Sequence, residues 1–361
     1  MASSTVRIPS NSIVGVLREA TGGTPTVASA TDTGTYNRLN VAEATPPVYN
    51  VIRESRLTSG AGSVKDLDDT FTTNAGATAE LEFEMPATAE LLPHFLASVT
   101  QNGSGTADYT FNVRDTNRNS VPIGSAHASI VDPYLFTLAY LENQNEATAG
   151  LRLAGCIVRE LTLTWQAGSN GNNMMVSGVI MSGVTVGSAS SSHRLVTYSP
   201  ATWVDPALAY YNGSELATKT LDIGVANNRD LVINSFSVTI NNNAQRYGGD
   251  SSGDAEGYML PEHTVTGNLS VKSDGNSPFV NAGMLDDFIA GEKSSLDLRW
   301  GSSFASDGDL QITGEVQYSG QPDLQLDDAI FVNLPLEFGQ DSTLTEALKI
   351  QLYGSRALAD W

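Results

Sequence analysis

The chain has 361 residues, room for two ordinary domains or one large all-β unit. Forty acidic residues against 19 basic give a formal net charge of −21. That excludes gripping nucleic acid, which needs clustered Lys and Arg, and excludes docking on an anionic membrane. Only 16% of residues are charged and 33 are glycine, so turns and strands are favoured and a long-helix or coiled-coil protein is excluded.

Met1 to Ser12 carries Arg7 but no apolar run of the kind a secretory signal needs. No stretch approaches the roughly 18 apolar residues of a membrane span, so the expectation is a chain made and kept soluble in a cytoplasm. The Asn-x-Ser sequons at Asn102, Asn212 and Asn268 then have no modifying compartment. A polar, Gly-rich loop, Thr58–Gly76, holds Asp66, Asp68 and Asp69. After it Ala79, Leu81, Phe83 and Met85 alternate with Glu80, Glu82 and Glu84, the period of a strand with one apolar face, over Ala77–Met85. A helix is predicted over Thr88–Thr100, with Leu91, Leu92, Phe95, Leu96 and Val99 on one stripe and Pro93 forcing its start to near Glu90. The single cysteine, Cys156, excludes an intramolecular disulfide, and its apolar neighbours in Leu151–Val158 read as burial rather than nucleophilic chemistry. Arg159–Gln166 and Met174–Ser182 follow as paired strands.

Gly187–Ser192 (GSASSS) has the composition of a flexible connector. Beyond it the order repeats. A polar loop, Asn241–Pro261, carries Asp250, Asp254 and Glu256, and a strand, His263–Lys272, comes next. A second helix is predicted over Pro278–Ala290, with Ser277 as N-cap, Pro at the first position and Gly291 past the end. Its stripe is Phe279, Val280, Met284, Leu285, Phe288 and Ile289. Alternation then marks Leu310–Tyr318, a closing pair in Ala329–Phe338 and Ala347–Tyr353, and an edge or bulge at Pro335. The fold expected is all-β and mainly antiparallel. Two β-sandwich or barrel modules, residues 1–190 with an N-terminal arm and residues 191–361, each carry one flanking α-helix. The first 190 residues hold 17 acids and 10 bases and the remainder 23 and 9, so both halves are acidic, as duplication would leave them.

Chemistry is hard to find. His94, His127, His193 and His263 are scattered without metal-ligand spacing, and neither a G-x-S-x-G elbow nor a phosphate-binding P-loop occurs. Asp250, Asp254 and Glu256 can offer oxygens to Ca²⁺, but their spacing is not that of an EF-hand, and a solvated loop is the plainer reading. Glu80, Glu82 and Glu84 admit three readings: a carboxylate pair without a nameable partner, a solvated face, or the lining of a channel. No enzyme activity, cofactor or metal is expected.

Several stretches in order carry a family resemblance. Val14–Pro25 (VGVLREATGGTP) resembles an opening strand and turn, and Ile52–Gly60 (IRESRLTSG) a strand entering a long loop. Ala77–Leu96 is similar to a strand of alternating glutamates followed by an apolar helix. Ser235–Asn243 (SFSVTINNN) and Val265–Leu269 (VTGNL) resemble two further strands. Together they resemble the tail tube (major tail) proteins of long-tailed bacteriophages, in particular the subgroup with two tail-tube modules in one chain.

The resemblance implies a structural virion protein, made in the host bacterial cytoplasm and resident in the tail. Its rings stack into a tube through which the genome leaves, and DNA transits without specific binding. It implies Thr58–Gly76 and Asn241–Pro261, with Asp66, Asp68, Asp69, Asp250, Asp254 and Glu256, as ring-stacking loops. Partners are other copies of the chain, with tape-measure, terminator and baseplate proteins. If family rings use six modules, three copies close one, a C3 trimer with pseudo-sixfold symmetry. The acidic bias then suggests a negative lumen, with Glu80, Glu82 and Glu84 facing it. The alternative is another virion or secreted β-sandwich, a decoration, baseplate or carbohydrate-binding protein presenting Tyr210, Tyr211 or Trp203 as exposed aromatics.

Overall fold

Period-2 alternation sets the strands, and the strands form two long sheets and a smaller third. The computed structural model describes residues 12–19, 31–32, 34–41, 46–50, 53–55, 70–72, 78–105, 108–113, 120–123, 134–142, 149–183, 196–198, 203–205, 210–223, 228–248, 255–274, 279, 283–301, 309–326, 330–339 and 346–353. The first sheet runs in the order β4 (Val48–Asn50), β7 (Thr78–Pro86), β13 (Met175–Met181), β12 (Ala149–Gln166), β18 (Ile233–Asn241), β21 (Thr264–Lys272), β25 (Ile330–Phe338) and β24 (Asp323–Leu326), each neighbouring pair antiparallel. The second runs β17 (Asn228–Asp230), β16 (Leu216–Ile223), β22 (Lys293–Trp300), β23 (Leu310–Tyr318), β26 (Leu348–Leu352), β9 (Tyr109–Val113) and β8 (Gly103–Gly105). The third joins β3 (Tyr36–Arg38), β1 (Ile13–Arg18), β11 (Phe136–Leu141) and the first part of β12, with β14 (Val196–Tyr198), β2 (Thr31–Asp32) and β15 (Trp203–Val204) at its margins. A hairpin, β19 (Gln245–Tyr247) and β20 (Gly257–Met259), pairs with β10 (Ser120–Pro122), and β5 (Arg53–Ser55) pairs with β6 (Thr70–Thr72).

The fold is all-β and mainly antiparallel, as expected. One apolar cluster gathers Leu81, Leu163, Val238 and Leu334 from the first sheet with Leu298, Ile312 and Ile350 from the second. The halves share sheets as well as core: β12 pairs with β18, and β9 with β26. The connector Gly187–Ser192 lies outside the described residues.

The helices, α1 (Leu92–Thr100) and α2 (Met284–Ala290), differ from expectation in length and setting. Every residue of α1 is buried, so it is an interior helix and not a flanking one with a single apolar stripe. Thr88 shapes its start, its hydroxyl accepting from the Leu91 N–H (3.2 Å). At the other end Gln101 takes the left-handed conformation (φ 48°), and its side-chain amide exchanges two hydrogen bonds with the backbone of Tyr134 (2.7 and 2.9 Å). α2 begins at Met284 and not Pro278, because Gly283 is extended and ends the helix there. Phe279 is not helical, and Ser277 and Pro278 lie outside the described residues. Gly291 caps the far end in the left-handed conformation, as predicted.

The closing strands pair differently from the expected β25–β26 hairpin. Each joins β23, β26 along Leu310–Gly314 and β25 along Val316–Tyr318. Pro335 sits where β25 changes partner from β24 to β23, a place where a missing N–H costs little. The longest strand, β12, bends at Gly155 (φ 62°) and so serves the third sheet with one half and the first sheet with the other. The buried Glu19 accepts the Gly155 N–H (2.9 Å), and the Gly155 carbonyl takes the Tyr258 hydroxyl (2.5 Å). A side chain pays a left-handed penalty that glycine does not, so Gly155→Ala is expected to cost about 1–2 kcal/mol of stability, read as a lower urea midpoint at unchanged slope.

Candidate functional site

The feature that the fold builds with most care is the polar face of the first sheet. Its other face is the core wall: Leu161, Leu163, Phe236, Val238, Leu269 and Leu334 are buried. Because side chains alternate, the residues between them share the opposite face. Reading across the ladder, Glu84, Ser177, Thr162, Thr239, Thr266 and Glu337 stand directly opposite one another in one row over six strands. The next row is Pro86, Met175, Thr164, Ser237, Asn268 and Pro335.

Among the described residues the charges on this face are unbalanced. Carboxylates come from Glu80, Glu82, Glu84, Glu160, Asp323 and Glu337, against the single ammonium of Lys272. Arg159, at a bulge in β12, pairs with Glu80 at 3.2 Å, with both side chains about a third exposed. Such a pair is worth little to stability, but it leaves Glu82 and Glu84 as the exposed charges of β7. They stand opposite Val179 and Ser177, which gives them no partner for acid–base work.

The seam between the two halves crosses this face. There the Thr162 and Thr239 hydroxyls share a hydrogen bond (2.9 Å), and the Asn241 amide donates to Glu160 (3.0 Å). Toward one end a depression of about 340 Å³ is lined by Phe236 and otherwise by amides and hydroxyls, among them Gln166, Asn234, Ser235, Asn268 and Gln325. Nothing in it offers a phosphate a cation.

Other expected sites fall elsewhere. Asp66, Asp68, Asp69, Asp250 and Asp254 lie outside the described residues, as do His127 and His193. Glu256 is exposed, beside the β19–β20 hairpin, and its backbone bonds Tyr247 and Ile123. The base of the loop Asn241–Pro261 is thus tied to the first half through β10, a pairing that no local sequence signal announces. Cys156 is buried, and burial pushes its thiol up, away from the reactive thiolate. Two of the three aromatics offered for glycan binding are not exposed: Trp203 stacks on Tyr36 in the third sheet's core, and Tyr211 is buried. Tyr210 accepts from the Asn40 amide (3.2 Å). The sequon at Asn212 has a structural use, its side chain accepting from the Ser214 N–H (3.0 Å) and hydroxyl (2.8 Å) to close a turn. Among the described residues no helix is long and apolar enough to cross a membrane.

A family model described as phage tail tube protein matches residues 9–338. No curated protein matches the chain.

Proposed function

The chain belongs to the phage tail tube protein family, a structural component of the virion tail, and on that premise we propose that the polar face of its first sheet lines the tube's channel. The observation that supports this is the continuous row Glu84–Ser177–Thr162–Thr239–Thr266–Glu337, two acids flanking four hydroxyls, which crosses both halves without a break. Carboxylates repel phosphate over about a Debye length, roughly 8 Å at physiological salt. Neutral hydroxyls and amides between them add no positive charge to offset that repulsion. The wall therefore lets a genome slide out during ejection and never grips it.

In this reading Glu80, Glu82 and Glu84 face the lumen. Asp66, Asp68, Asp69, Asp250, Asp254 and Glu256 belong to loops that meet the next ring of the stack. Three chains close a ring with pseudo-sixfold symmetry, and the tube's ends meet tape-measure, terminator and baseplate proteins. A symmetry-resolved electron-microscopy map of assembled tubes tests it. Glu82 and Glu84 are expected on the channel wall, and a map that puts them on the outer surface, or six whole chains in a ring, overturns the corresponding part. In phage carrying Glu82→Lys with Glu84→Lys, tails should still assemble while genome delivery slows by about tenfold, the scale on which a local field changes a charged partner's rates. Unchanged delivery would count against a lumenal place for these residues.

A further inference from the structure

At one end of the first sheet's polar face the fold leaves its hydrogen-bonding groups unused. The row Gln166–Ser235–Ser270–Asn333 stands directly across β12, β18, β21 and β25, and Asp323 of β24 comes next in it. The first four of these, with Ser237, Asn268, Asn234 and Gln325, give the depression of about 340 Å³ its polar lining, five carboxamides and three serines. None of these eight side chains hydrogen-bonds another described residue. Elsewhere on the face such groups are engaged, Thr162 with Thr239 and Asn241 with Glu160.

Ser270 stands apart within the lining. It is only 6% exposed, and its hydroxyl has no partner among the described residues. A hydroxyl withdrawn from water without a hydrogen bond is costly, and a group that enters the depression removes that cost.

The lining also selects what can enter. Small-molecule pockets are mostly apolar with a few polar groups, and this one is the reverse. Its one apolar residue, Phe236, is 3% exposed and packs its ring beside Trp165 and Trp300, so it opens no aromatic face to a sugar. No cation is there for a phosphate, and Asp323 adds a repelling charge one strand on. Each carboxamide, however, carries a carbonyl acceptor and N–H donors in one plane, the complement of a peptide unit with its one N–H and one C=O. The spacing suits an extended chain. Ser235 and Ser237 on β18, and Asn268 and Ser270 on β21, are two residues apart on one face, about 6.4–6.8 Å, the repeat of like-pointing groups along any extended peptide.

Resting on the tube reading above, we propose that this depression is a peptide-binding site, which holds a short, extended, uncharged segment of another polypeptide along β18 and β21. One face then does two things. Acids around Glu82 and Glu84 repel the genome, and the amide end holds protein. Every chain in every ring repeats the site, so a weak hold at each adds along the tube.

The test uses complete virions whose tube chain carries a photo-crosslinking residue, Asn268→benzoylphenylalanine in the depression or Glu82→benzoylphenylalanine on the acidic side of the face. Irradiation is expected to join position 268 to one short segment of a different virion polypeptide, identified by mass spectrometry. The yield should exceed that at position 82 by at least about tenfold, the scale of one or two net hydrogen bonds. Adding Asn234→Ala with Gln325→Ala should lower it by a similar factor. Equal yields at the two positions, or adducts scattered over many segments, make the depression mere solvated wall and overturn the site. Adducts to DNA, or only to other copies of this chain, overturn it too. Should the bulky residue block assembly, Asn268→Cys and Glu82→Cys replace it, with a thiol-reactive photo-crosslinker applied to finished virions; Cys156 is buried and does not compete. The electron-microscopy map separates two failures. A depression on the tube's outer surface fails the channel reading, whereas one on the channel wall that yields no adduct fails the site alone.

Discussion

Phe236→Ala is expected to destabilise the whole chain by about 3–5 kcal/mol, read as a fall in the urea midpoint at unchanged slope. Phe236 is 3% exposed on β18, stacked beside Trp165 of β12 and tilted against Trp300 of β22 (5.4 Å between ring centroids). It therefore joins the two halves across the seam and the first sheet to the second. Truncation opens a cavity that rigid sheets on either side cannot close, and it also forfeits two aromatic contacts worth about 0.5–1.5 kcal/mol each. Phe236→Leu refills most of the volume and should recover much of the loss. A shared core predicts one unfolding transition that moves as a unit, whereas separately folding halves would show two, with only one displaced.

Acid should weaken the fold through two histidines. His94 lies wholly within the core, where burial first and the Arg18 guanidinium second bring its pKa down to about 3 from an ordinary 6.5. The neutral ring suits its neighbour, because Nδ1 can accept the Tyr134 hydroxyl only while unprotonated. Burial likewise brings His263 down to about 4. A histidine whose folded pKa is depressed binds fewer protons in the native state than in the unfolded chain between those values. Its stabilisation is therefore complete above about pH 6.5 and is lost as pH falls toward 4 and then 3, at up to about 1.4 kcal/mol per unit for each ring. Between pH 6.5 and 4.5 His94 alone should cost about 2–3 kcal/mol. Urea titrations at both pH values should show His94→Gln with a difference smaller by that amount, and an equal difference in the two proteins would refute the assignment.

The strands were legible because each carries its own evidence. Leu81, Phe83 and Met85 against Glu80, Glu82 and Glu84 mark a one-faced strand with no knowledge of neighbours, and the structure has it over Thr78–Pro86. Partner choice is not local. Nothing in the alternation of Leu348, Ile350 and Leu352 says that it will pair with β23 and β9 and leave β25 to others. Gly155 carried no signal in the sequence, and its role as a bend shows only in its positive φ and its hydrogen bond to Glu19, far along the chain. The full burial of α1 was equally hidden: Pro93, His94 and Ser98 fall off the apolar stripe yet are covered by elements remote in sequence. For the polar face, the glutamates of β7 were visible in the sequence. The hydroxyl row that continues from them emerged only from register, since Ser177, Thr162, Thr239 and Thr266 are unremarkable residues until the ladder lines them up.

The internal seam between β12 and β18 also bears on assembly thermodynamics. A joint within one chain forms at the effective concentration of a tethered partner, of order millimolar for a flexible connection, however dilute the protein is. Chains holding single modules would meet every joint as a bimolecular event and lose translational freedom each time. In the ring proposed above, alternate joints are already made when the chain folds, so closing it takes half as many encounters. On that reading the concentration at which tubes first appear should be correspondingly low, set by the contacts between chains alone.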